Sequence, residues 1–137
     1  MYESLTNFIS LLDAIDYGEW IIDKQNDGTK EHPIQMPWVR YDETVIQLIK
    51  AVYAYIQDHE ELGLNQYAEI LKKNRIEWEA SSMMNADVSK LDGTTIVALI
   101  LGVIRADRFC EGLLLDFCKR GYIVKWLIRL KEIDDNT

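Results

Sequence analysis

Nine residues in succession, Ile96 to Ile104, carry almost no polar atom. A helix apolar on nearly every side is stable only when neighbours cover most of its circumference, so any fold open to this chain is built around residues 94–106. Directly behind the run stand Arg105, Asp107, Arg108 and Glu111, which must be paired or exposed where the helix ends. Asp92 or Thr94 is the expected cap at the other end. Gly102 inside the run costs roughly 1 kcal/mol of helix propensity relative to alanine, and a glycine kept there predicts close approach by a neighbouring helix.

The 137 residues are one domain, 1–137, by length, and such a domain buries about two-thirds of its unfolded surface. That is core enough to fold without disulfide or metal. Cys110 and Cys118, on what reads as one helix, would stand about 12 Å apart, too far to bridge. The apolar run is about half a membrane span, and Met1-Tyr2-Glu3-Ser4 lacks the basic start of a signal peptide, so a cytoplasmic chain is expected.

The net charge of −8 is unevenly spread. Residues 1–41 hold seven acids and three bases, 42–81 eight and four, and 82–137 eight and eight, so the three segments carry −4, −4 and 0. An acidic chain repels phosphate backbones, which argues against nonspecific nucleic-acid binding. Lys119, Arg120, Lys125, Arg129 and Lys131 leave room for a local basic patch.

Periodicity supplies most of the remaining elements. Leu5, Phe8, Ile9, Leu12 and Ile15 fall at helical spacing over Ser4 to Asp16, with Ser4 as candidate N-cap and Gly18 as terminator. Glu19-Trp20-Ile21-Ile22 reads equally as a short strand or a one-turn extension, and Asn26-Asp27-Gly28 marks a turn. Pro33 and Pro37 hold residues 32–41 extended or turning. Asp42 then caps the strongest helix signal in the chain, Val45, Leu48, Ile49, Val52 and Ile56. Gly63 and Asn65 separate it from a helix over residues 66–74 whose inner face is Tyr67, Ile70 and Leu71. Residues 75–93 show no clear period, and Met83-Met84 fit either a helix or a loop there. Phe109 to Arg120 reads as helical, Gly121 as the residue after its end, and Tyr122 to Ile133 as the last helix. In that helix Ile123, Trp126, Leu127, Leu130 and Ile133 face inward, while Lys125, Arg129 and Glu132 form a solvated stripe.

Where chemistry could reside, two readings compete. Arg105, Asp107, Arg108 and Glu111 on a continuous helix would converge at i+3 and i+4. They form either an arginine fork for a carboxylate or phosphate, or a self-neutralising cluster closing the buried helix, and the second is favoured. Cys110 reads as a small buried hydrophobe in preference to a thiolate nucleophile, since neither His32 nor His59 is placed as its base, and Cys118 reads likewise. His59-Glu60-Glu61 is the solvated end of a helix before it is a metal site, and Glu77-Trp78-Glu79 hints only weakly at a sugar platform. No zinc spacing, P-loop, dinucleotide fingerprint or GxSxG is present, so no metal, cofactor or catalytic residue is expected and an enzyme is the less favoured class. Trp38 and Tyr41 flank Arg40 in the proline-bounded segment, and Trp38, read as lying in a loop, is the candidate anchor for a protein partner.

Two stretches, Met36-Pro37-Trp38-Val39-Arg40-Tyr41-Asp42-Glu43 and Ile104-Arg105-Ala106-Asp107-Arg108-Phe109-Cys110-Glu111-Gly112, the second followed by Gly121-Tyr122-Ile123 and Trp126-Leu127-Ile128-Arg129-Leu130, resemble one family. It comprises small bacterial and phage-borne proteins collected as a domain of unknown function, number 6508. The resemblance implies a helical domain sharing an Arg-Phe-Cys-acid-Gly element and carries no activity. It also implies that residues 36–43 and 105–112 are neighbours in space.

The sequence thus predicts an all-α domain of five or six helices around a central helix at 94–106, with room for a minor β element near 19–39. The favoured function is a cytoplasmic interaction or regulatory module contacting another protein or a second copy through the acidic N-terminal two-thirds and Trp38. The alternatives are an acidic nucleic-acid mimic of phage or mobile-element origin, and a ligand-binding protein or enzyme centred on Arg105, Asp107, Arg108, Cys110 and Glu111.

Overall fold

A computed structural model describes residues 1–13, 15–22, 28–31, 33 and 36–136. Asn26 and Asp27 of the turn expected at Asn26-Asp27-Gly28, and part of the path expected over residues 32–41, fall outside them. The described chain forms α1 (Glu3–Thr6), α2 (Phe8–Leu12), β1 (Gly18–Ile21), β2 (Trp38–Tyr41), α3 (Glu43–Asp58), α4 (Tyr67–Lys73), α5 (Ala80–Met84), α6 (Gly93–Ala106), α7 (Leu113–Lys119) and α8 (Tyr122–Asp135), with 3-10 turns at Glu60–Leu62, Leu64–Gln66 and Val88–Lys90. The protein is all-α with a minor two-stranded element. Eight α-helical segments replace the five or six expected, because the first helix is divided at Asn7 and α5 occupies the stretch that periodicity left unassigned.

Helix α6 is the centre, as its composition requires. Every residue from Thr95 to Ile104 is buried, and α3, α4, α7 and α8 all pack against it. Each buried Ile, Leu or Val contributes about 1.5–3 kcal/mol of transfer free energy. The Asp92 carboxylate caps the helix, accepting from the Thr95 amide at 2.8 Å. Thr95 is itself buried, and its hydroxyl accepts from the Asn74 side chain at 3.2 Å. At Gly102 the space is taken by side chains: Leu71 of α4, Met83 of α5 and Trp78 lie 3.4–3.5 Å from where a Cβ would stand. Trp78 also donates its indole N–H to the Gly102 carbonyl at 2.8 Å. Gly93 is stricter, because a Cβ there would fall 1.9 Å from the buried Tyr2 hydroxyl.

The expected Asp42 cap is present, its carboxylate accepting from the Thr44 amide at 2.9 Å, and α3 buries Val45, Leu48, Val52, Tyr55 and Ile56. Helix α8 buries Ile123, Trp126, Leu127 and Leu130, with Ile133 packed beside them. Its charged stripe is less free than expected. Arg129 is only partly exposed, donates to the carbonyls of Val88 and Ser89 at 3.2 and 3.3 Å, and pairs with Glu132.

The N-terminus differs from its sequence reading. Tyr2, not Ser4, sits at the start of α1, and the Tyr2 amide donates to Asp134 of α8 at 2.8 Å. Nor does Gly18 end the helix. Leu12 is its last residue, Tyr17 takes a left-handed φ of 66°, and Gly18 opens β1, where a Cβ would meet the Arg40 carbonyl at 2.8 Å. The two strands pair antiparallel, Gly18 with Tyr41 through Ile21 with Trp38. Trp38, expected in a loop, is therefore on a strand. No helix among the described residues is long and apolar enough to cross a membrane.

Candidate functional site

The charged cluster behind α6 is not arranged as its spacing suggested. Helix α6 stops at Ala106 and the chain turns through residues 107–112 before α7 begins, so the i+3 and i+4 geometry is lost. Among the described residues, neither Arg105 nor Arg108 forms an ion pair. The cluster does not neutralise itself.

Its carboxylates serve the backbone instead. Asp107 Oδ1 accepts from the Leu114 amide and from the Tyr41 hydroxyl, each at 3.0 Å. The Tyr41 oxygen accepts from the Leu115 amide at 3.1 Å. With Leu113 N donating to Cys110 O and Asp116 N to Gly112 O, the four amides that open α7 all have acceptors. Gly112 precedes that helix with no side chain to cap it, so Asp107 and Tyr41 perform the capping from elsewhere in the chain. Burial first, then the Asp107 charge, raise the Tyr41 hydroxyl well above the ordinary phenol range, which keeps it protonated and donating.

The same turn holds the strands. Glu111 Oε1 accepts from the Val39 amide at 2.8 Å, and the Trp20 ring lies on Gly112, 2.3 Å from where a Cβ would stand. Residues 36–43 and 105–112 are therefore in direct contact, as the motif resemblance implied. Glu19 and Arg40 add an exposed ion pair across the strands.

The remaining candidates separate. Arg105 turns away, its guanidinium 5.4 Å from the centre of the Tyr53 ring. Arg108 is exposed and Phe109 extends into solvent. Cys110 is exposed rather than buried, because it stands on the turn and not on α7, and the one-helix premise for its distance from Cys118 fails with it. Cys118 is buried as expected, and burial pushes its thiol up to about 12. In the native protein, Ellman's reagent is therefore expected to titrate one thiol quickly at pH 8, with the second appearing only in denaturant. Two fast thiols in the native state would contradict this burial.

Beside the turn, Trp78, Met83, Ala106, Phe109, Cys110 and Leu113 line an open apolar groove of about 510 Å³. Trp78 meets Tyr67 and Phe109 edge-on, at centroid distances of 5.3 and 6.5 Å. These ring contacts and the bond to Gly102 commit much of Trp78 to packing. His59 stacks on Tyr55 at 4.1 Å and its Nδ1 contacts the Tyr55 carbonyl at 2.9 Å, which places it in the end of α3. Among the described residues, no group of three or more His, Cys, Asp or Glu could hold a metal ion.

Periodicity missed the turn at 107–112 and the strand clasp. Gly112 was the available signal: its φ of +89° suits a residue outside a helix, not the interior of one running from Phe109. The two motif stretches that meet here belong to a longer match, since the family of unknown function DUF6508 covers residues 1–136. The chain belongs to DUF6508. The family match includes the N-terminal 35 residues, which the motif resemblance did not reach. No curated protein and no solved structure matches this DUF6508 chain.

Proposed function

We propose that this DUF6508 protein is a small cytoplasmic interaction module that binds another protein through exposed aromatic residues of β2 and the 107–112 turn, Trp38 and Phe109. The observation that carries this reading is exposed aromatic surface on elements tied to one turn. Phe109 is 83% exposed and Trp38 46%, with Met36 and Ile22 exposed at the strand ends. Trp20 and Val39 share one side of the strand pair and Ile21 and Trp38 the other, so the exposed rings stand on a hydrogen-bonded frame without forming one patch, and Trp38 and Phe109 are the candidate hot spots. The net charge of −8 favours a partner with a basic rim, which speeds encounter more than it adds affinity.

Phe109→Asp and Trp38→Ala test the reading. Each is expected to weaken the complex by about 2 kcal/mol, roughly thirtyfold, while thermal unfolding stays close to wild type. Native mass spectrometry of protein purified from its own host identifies the partner or a second copy and its stoichiometry. The reading fails if that protein is monomeric and unaccompanied and both variants behave identically.

A further inference from the structure

We propose a second site, for a small amino-acid-like zwitterion, in the pocket where α3 and the Gly63–Asn65 turn meet the end of α6. The pocket has a volume of about 410 Å³ and is lined by Tyr53, Ile56, Gln57, Glu60, Asn65 and Arg105, with Gly63 and Leu64 completing it. It includes neither Trp38 nor Phe109, so it stands or falls independently of the interaction reading.

Two buried polar atoms of its lining have no hydrogen-bond partner: Arg105 Nε and the Tyr53 hydroxyl oxygen. Such a group is costly, and native proteins seldom keep one without a water, ion or ligand to satisfy it. The Tyr53 ring beneath the guanidinium, at 5.4 Å, holds the arginine in place. An arginine so held takes a carboxylate at its two terminal nitrogens through two parallel bonds.

An anion alone does not match the whole lining. Glu60 is in the same pocket, and among the described residues it pairs with no cation. A ligand with a carboxylate for Arg105 and an ammonium for Glu60 neutralises both. Gln57 and Asn65 add amide donors and acceptors, and Ile56 and Leu64 offer apolar contact to a short aliphatic side chain.

Nitrogen–proton NMR of the full chain, titrated with L-leucine, N-acetyl-L-leucine and L-leucinamide, tests the site. L-leucine is expected to produce saturable shifts at the Gly63 and Asn65 amides and at the Arg105 Nε–H. N-acetyl-L-leucine lacks the ammonium and L-leucinamide the carboxylate, and each is expected to bind at least about tenfold more weakly. Arg105→Lys keeps the charge but removes the fork, and should also cost at least about tenfold. Tyr53→Phe keeps the ring and should cost several-fold, which leaves the test intact if Arg105→Lys does not fold. Phe109→Asp should leave the titration unchanged. A pocket holding water alone gives no saturable shift, and that result overturns the site. So does equal binding of N-acetyl-L-leucine and L-leucine, or leucine binding that Tyr53→Phe and Arg105→Lys leave unaltered.

Discussion

Asp107→Ala is expected to lower the free energy of unfolding by about 2–4 kcal/mol, because the side chain accepts two hydrogen bonds whose donors have no substitute. One donor is the Leu114 amide in the first turn of α7, and the other is the half-buried Tyr41 hydroxyl. Bonds to a charged acceptor are worth roughly 1.5–3 kcal/mol each, and partial exposure of Asp107 holds the total toward the lower end. Asp107→Asn keeps one acceptor oxygen and should cost about 1 kcal/mol. Urea denaturation followed by far-UV dichroism measures both. A shift below about 0.5 kcal/mol for the alanine variant would show that α7 is capped by other means.

Gly112→Ala is expected to cost a comparable 2–4 kcal/mol for two separable reasons. The residue has φ +89° and ψ 0°, a left-handed conformation that costs an L residue roughly 1–2 kcal/mol. Its new Cβ would also fall 2.3 Å from Trp20 Cζ2, and displacing a packed ring costs typically 1–3 kcal/mol. Only the second part depends on Trp20. In a Trp20→Ala background the same substitution should therefore lose about 1–2 kcal/mol of its effect, read as the coupling of a double-mutant cycle. A coupling near zero would mean that Trp20 moves aside without cost. The ring would then be a free surface group rather than part of the clasp between β1 and the turn.

Both substitutions lie in the turn at 107–112, the part of the chain least legible in its sequence. Helices α3, α6 and α8 were legible because each carries a long apolar stripe, and for α3 and α6 an acid stands in the capping position, Asp42 and Asp92. Such signals are local, acting between residues a few positions apart. The charged cluster was legible as a place and not as an arrangement. Its spacing implies pairing only if the helix continues past Ala106, and whether it continues is settled by partners far along the chain. Tyr41 reaches Asp107 across 66 positions and Leu115 across 74, and Glu111 reaches Val39 across 72. The error over Cys110 has the same origin. An apolar neighbourhood in sequence is not burial once the residue stands on a turn.

Arg105 shows the same division on the ligand side. The sequence identified it as an arginine at the end of a buried helix and grouped it with the acids beside it. The tertiary structure places it over Tyr53, a residue with no distinguishing pattern of its own, and leaves its Nε unsatisfied in a pocket that the adjacent acids do not enter.

Sequence by itself determined the class of this protein, helical around residues 94–106, because nine apolar residues allow little else. The motif resemblance pointed to the two segments that meet beside that helix. Tertiary structure alone decided what those segments do. Hydrogen-bond donors at a helix start and buried polar atoms are satisfied by whatever the fold brings within about 3 Å, and that proximity is not encoded in the spacing of any one stretch.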